Sequence, residues 1–275
     1  MNKKTIVSMI ALLALTGTAS AQVSGAAPAL SAKTVVAANS APKSKAAEDK
    51  GFAAIQAEID RQKAALKTGE ALAYYISDPE WNPADKIGFV ARGYSFKTYA
   101  DFAAKLKKLK GPAFPKPASL PKGFKLTSAS VYLATPDSES DEYVRLEREL
   151  KKKAASGKEK VYAKRIVSDK ANGGMMFYEK AVGKNKRTLM ISANILSPDS
   201  DKKSEGTSVP DKKSKIVTEK VKIKGAEAVY TYNPEEVYKA VLSWTDKKNK
   251  AVYRIHGQGS ENKKELIAIA KSMLA

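Results

Sequence analysis

The side chains equipped for chemistry are few. A single imidazole, His256, precedes Gly257-Gln258-Gly259, and no cysteine occurs in the 275 residues. Without a thiol there is no thiolate nucleophile, disulfide, iron–sulfur cluster or Cys-ligated zinc, and a Ser-His-Asp arrangement would have to be built on His256 alone. No nucleophile or second ligand is identifiable beside it, so His256 reads as a turn or hydrogen-bonding residue. Two acidic clusters, Asp137, Glu139, Asp141 and Glu142, then Asp199, Asp201 and Glu205, carry the carboxylates that Ca²⁺ prefers. Neither has EF-hand spacing. The first lacks Gly at its sixth position and places Arg148 at its twelfth, while Lys202 and Lys203 adjoin the second.

Lys67-Thr68-Gly69 and Ser119-Leu120-Pro121-Lys122 share residue types with the boxes of penicillin-recognising enzymes. Pro121 prevents the helical turn that would bring Lys122 to Ser119, the order of the boxes is reversed, and no Ser-Asp-Asn occurs. Gly157-Lys158-Glu159 and Gly183-Lys184-Asn185 lack the glycine spacing and the Ser or Thr of a phosphate-binding loop. The expectation is therefore a protein that is not an enzyme and has no catalytic residues, cofactor or metal site.

Charge is the feature that survives. Lys plus Arg number 49 against 29 Asp plus Glu, a formal charge of +20, and only seven of the basic residues are Arg. Lysine attracts polyanions as a point charge but gives little bidentate recognition, which favours loose, salt-sensitive association. Lys105, Lys107, Lys108 and Lys110 form a dense cluster and are the candidate polyanion-binding residues. A basic stretch at Lys122-Gly123-Phe124-Lys125 lacks the aromatic continuation of an RNA-binding strand, so nucleic acid is not the expected partner. The competing reading is that lysine, spread over all faces, simply keeps the protein soluble.

The compartment follows from the N-terminal residues. Met1-Asn2-Lys3-Lys4 is positive, Ile6 to Leu15 is mostly apolar, and Ala19-Ser20-Ala21 supplies small residues at the cleavage positions, the pattern of a signal peptide over 1–21. The apolar run is well short of the roughly twenty residues that span hydrocarbon. A secreted, extracellular protein with an association to the cell envelope is expected. Residues 22–50 are rich in Ala, Ser, Lys and Pro without an aromatic, and are expected to be a disordered tether.

The positioning elements come next. Phe52, Ile55, Ile59 and Leu66 predict an amphipathic helix over 51–66, and Tyr99, Phe102, Leu106 and Leu109 predict a second, basic helix ending before Gly111-Pro112. Strands are predicted at 72–76 and 87–94, then at 124–134, 161–167, 175–182 and 188–196, with charged residues at helical spacing over 142–150. Residues 197–215 read as a polar loop. Hairpins are predicted across Lys224-Gly225 and across Asp246 to Asn249, and a last helix is predicted from Ser260, lined by Leu266, Ile267, Ala270, Met273 and Leu274. Pro112, Pro115, Pro117 and Pro121 suggest a stiff boundary between a small N-terminal α+β lobe, 51–111, and a C-terminal antiparallel α+β domain, 112–275. The expected fold class is α+β: an antiparallel sheet with packed terminal helices, preceded by a smaller lobe and a tether.

The C-terminal block carries a family resemblance. Leu120-Pro-Lys-Gly-Phe-Lys-Leu126, Val221 to Tyr230, Ala240-Val-Leu-Ser-Trp244, Val252-Tyr-Arg-Ile255 and Lys263 to Ser272 resemble domain of unknown function 4367. The resemblance covers roughly 115–275, and 66–106 looks like a companion segment of secreted members from spore-forming Gram-positive bacteria. It implies a location outside the cytoplasmic membrane, often in proteins tied to the envelope or to anti-sigma-type regulators. It supplies no active site. The expected function is a non-enzymatic exported binding or accessory module associating with an anionic cell-wall polymer or membrane surface. The alternative is a regulatory or inhibitor-like protein with a specific protein partner.

Overall fold

The computed structural model describes residues 45–196, 215–258 and 263–274. The expected signal peptide, the tether up to residue 44, most of the polar loop, the second acidic cluster and the Ser260 cap lie outside them. In chain order the elements are α1 (Lys45–Ala64), β1 (Glu70–Ile76), β2 (Gly88–Ala91), β3 (Tyr94–Phe96), α2 (Tyr99–Lys108), β4 (Lys125–Leu133) and α3 (Asp141–Ser156). They continue with β5 (Val161–Val167), β6 (Ala171–Val182), β7 (Asn185–Ile195), β8 (Val217–Ile223), β9 (Ala226–Tyr232), β10 (Ala240–Asp246), β11 (Ala251–Gly257) and α4 (Lys263–Met273). All strand pairs are antiparallel, and the fold class is α+β. The first helix starts at Lys45 rather than Gly51, because 45–50 contains good helix formers and no Gly or Pro.

The chain forms two compact units that interleave in sequence, which corrects the contiguous division at 111/112. One unit runs to Arg92 and resumes over Thr135–Val167; the other holds Gly93–Ala134 and the residues from Ser168 onward. The reason is pairing. β5 runs antiparallel along the whole of β1, from Glu70 opposite Val167 to Ile76 opposite Val161, so α3 and β5 belong with the first strands. The single strand expected at 87–94 is in fact two, with β2 on β1 and β3 on β4. Gly93 stands at the break, where a Cβ would lie 2.2 Å from the Val131 carbonyl oxygen, so only glycine lets the backbones approach this closely.

In the first unit β1 lies between β2 and β5. Alternation along β1 sends Ala73 and Tyr75 to one side, where Tyr143, Leu146 and Leu150 of α3 bury against them. Tyr74 and Ile76 point to the other side, against Ile55 and Ile59 of α1. Ser140 caps α3 by accepting the Tyr143 N–H at 3.2 Å.

In the second unit the sheet order is β3-β4-β6-β7-β11-β10-β9-β8. Helices α2 and α4 cover one face, which carries Val131, Gly174, Ala193, Tyr253 and Trp244 in register. At Gly174 a Cβ would meet the Phe102 ring at 2.7 Å, so the glycine lets α2 seat against the sheet. The Pro-rich segment expected to separate the lobes instead lies on this same face. Its Phe114 stands edge-on between Phe102 and Tyr253, at 5.3 and 6.3 Å, and Tyr99 donates its hydroxyl to the Phe114 carbonyl at 2.8 Å. Tyr253 also stacks on Trp244 at 5.1 Å and donates to the Ala113 carbonyl.

Candidate functional site

The four candidate lysines lie on and just after α2. Thr98 caps this helix, accepting the Asp101 N–H at 3.2 Å, and Phe102, Leu106 and Leu109 are buried against the unit. Amphipathic spacing then leaves the basic residues on the remaining surface. Lys107, Lys108 and Lys110 are exposed, and among the described residues none of them forms an ion pair. Lys105 is placed differently: its ammonium sits 4.1 Å from the centre of the Tyr94 ring and the residue is half-buried. That cation–π contact joins the helix to β3, so Lys105 is partly occupied within the fold. Lys110 follows the helix with φ of 53°, in the left-handed region where the chain turns into Gly111.

Other cations are spent on structure. Lys151 on α3 donates to Asp85 at 2.6 Å and lies 3.4 Å from Glu147, and with the Tyr75 hydroxyl it holds the Asp85 carboxyl below the usual range. Lys164 and Lys153 both engage Glu149 and hold its carboxyl down in the same way. Lys263 reaches Glu219, and Lys186 pairs with Glu179 at 2.9 Å. These contacts separate paired lysines from Lys107, Lys108 and Lys110, which are exposed.

The motifs weighed in the sequence resolve into local structure. Asp137 accepts the Glu139 N–H at 2.9 Å and its carbonyl accepts the Ser140 hydroxyl at 2.6 Å, so this part of the first acidic cluster builds the turn that leads into α3. Lys67 to Gly69 form the turn before β1, and Ser119 to Lys122 lie in the segment before β4. His256 lies on β11, half-buried, its ring edge-on to Tyr238 at 5.7 Å. Burial, aided by the charge of Arg254, holds its pKa down to about 4, so the imidazole is neutral at neutral pH.

The sequence elements that built this unit are also those of a known family. A family model described as "Domain of unknown function (DUF4367)" matches residues 115–273. The chain belongs to the DUF4367 family. The match spans the Pro-rich segment and β4 through α4, including the excursion into α3 and β5 that the first unit takes up. The DUF4367 match thus crosses both compact units, while α1, β1 and α2 precede it. No curated protein and no solved structure matches the chain.

One set of residues went unremarked in the sequence: the outward side chains of the DUF4367 strands, Arg254 foremost. The alternation Ala251, Tyr253, Ile255 inward signals that Val252, Arg254 and His256 point the other way. Which strands flank them is not a local property, because β7 and β11 meet from positions far apart in sequence.

Proposed function

We propose that this DUF4367 protein is an exported, non-enzymatic binding or accessory module that associates with an anionic polymer or membrane surface of the cell envelope. The observation carrying this reading is the surface at the end of α2, where Lys107, Lys108 and, just after the helix, Lys110 are exposed and unpaired among the described residues, the helix being anchored by Phe102 and Leu106. Three neighbouring cations with no carboxylate partner attract polyanions, and such attraction weakens as salt screens it.

The test is cosedimentation of the chain from Gln22 with native envelope, with envelope stripped of anionic polymer, and with anionic vesicles, across a salt series. The K107Q/K108Q/K110Q variant is run beside it. Binding that falls steeply with salt and drops at least severalfold in the variant supports the reading. Equal sedimentation of variant and wild type removes α2 as the contact, and absence of binding to every surface overturns the proposal. A second reading, an extracytoplasmic regulator with a specific protein partner, is favoured by β8, an edge strand among the described residues, in which Val217 is exposed next to exposed Ile216.

A further inference from the structure

Antiparallel register arranges the face of the large sheet opposite α2 and α4 into rows. One row places Met175, Ser192, Arg254 and Ser243 side by side on β6, β7, β11 and β10. The next places Phe177, Met190, His256 and Val241 on the same four strands. On the other side of the Arg254 row, Asn194 pairs with Val252. Among the described residues no helix of this unit packs here, since α2 and α4 lie over the opposite face.

The chemistry of these rows is specific. Arg254 is exposed and forms no ion pair among the described residues, and neither row contains a carboxylate. Its cross-strand neighbours are two hydroxyls, Ser192 and Ser243. Directly opposed side chains start about 5 Å apart, close enough for guanidinium and hydroxyl to donate to one small anion. Beside these polar groups lie apolar side chains. Met175, Phe177, Val241 and Val252 are half-buried, Met190 is only 7% exposed, and His256 with Tyr238 adds aromatic surface.

A polyanion needs a series of cations, as α2 offers, whereas these two rows from β6 to β10 offer one cation, Arg254, beside apolar side chains, the next cation along its row being Lys220 on the edge strand β8. From β6 to β10 the strand spacing spans about 14 Å, and a guanidinium suits a carboxylate through two parallel hydrogen bonds. We propose that this face binds a single-chain anionic amphiphile of the fatty-acid type, its carboxylate on Arg254 between Ser192 and Ser243 and its chain across Met175, Phe177, Met190 and Val241. The methionines suit such a ligand because their unbranched, polarisable side chains adapt to a flexible chain. This inference concerns a surface other than the lysines of α2 and stands or falls apart from them.

The experiment is methyl NMR of the chain from Gln22 labelled at methionine, titrated with dodecanoate below its micelle concentration. Met175 and Met190 report on the face, while Met176, fully buried toward the helices, and Met273 of α4 serve as internal controls. Expected are saturable shifts of Met175 and Met190 with Met176 and Met273 unmoved. Arg254→Gln is expected to weaken binding roughly tenfold or more, the cost of a charge-assisted hydrogen bond. Ser243→Asp places a carboxylate beside Arg254 and is expected to abolish binding, with unshifted Met176 and Met273 certifying the fold. K107Q/K108Q/K110Q should leave the titration unchanged. No shift with dodecanoate overturns the proposal, as does undiminished binding in both Arg254→Gln and Ser243→Asp. Equal shifts with dodecanol show an apolar surface without anion recognition, and equal shifts with acetate show an anion site without a chain; either result also overturns it.

Discussion

His256 has a folded-state pKa of about 4, lowered by burial and by Arg254, against 6.5 for an ordinary imidazole. Between these values the unfolded chain binds a proton that the folded chain does not. Stability is therefore lost as pH falls from about 6.5 toward 4, by at most about 1.4 kcal/mol per pH unit, and above that window the residue contributes no slope. His256→Gln is expected to flatten this part of the pH profile, measured as urea midpoints at pH 7 and pH 4.5; identical profiles for variant and wild type would refute the assignment. At this scale the sequence was partly legible. His256, expected as a turn or hydrogen-bonding residue, instead lies within β11 edge-on to Tyr238, whereas the burial of Phe102 and Leu106 was readable from spacing. That Lys105 would settle over Tyr94 was not, because the contact depends on where β3 lies beside α2.

At the scale of elements, α2 and α3 begin where their caps place them, at Thr98 and Ser140. Ser140 also receives support from the Asp137 turn, so Ser140→Ala removes an acceptor from the Tyr143 N–H and is expected to cost about 1 kcal/mol by urea denaturation. A loss below a few tenths would show that another group caps α3. Helices and hairpins were legible because their signals are local: apolar residues at helical spacing, caps, and Lys224-Gly225 at a turn with both φ values positive. The failures share another cause. Ile87 to Tyr94 has continuous strand character, and only the approach of Val131 to Gly93 divides it. The proline run looked like a linker because proline disfavours regular structure, but Phe114 within it has an apolar ring that the sheet face buries.

At the scale of the whole molecule, the α+β class follows from strand and helix patterns, whereas the interleaving of two units does not, because a strand's sequence does not name its partner. Leu150 is fully buried in the first unit, among Ala73, Tyr143, Leu146 and Tyr162. Leu150→Ala is expected to cost about 2–5 kcal/mol and to reduce native-state amide protection in β1, β2 and β5 more than in β7 and β11. Uniform loss of protection across all five strands would mean that the two units open as one. The pairing of β7 with β11 has a bearing on the order in which the protein is made. Until β11 leaves the ribosome, β7 has one side of its backbone without a neighbour, and the half-built sheet is open to mispairing. The strand that fills this gap is the last in chain order among those described, so the centre of the sheet is completed only once β8, β9 and β10 have also been made, not strand by strand in chain order.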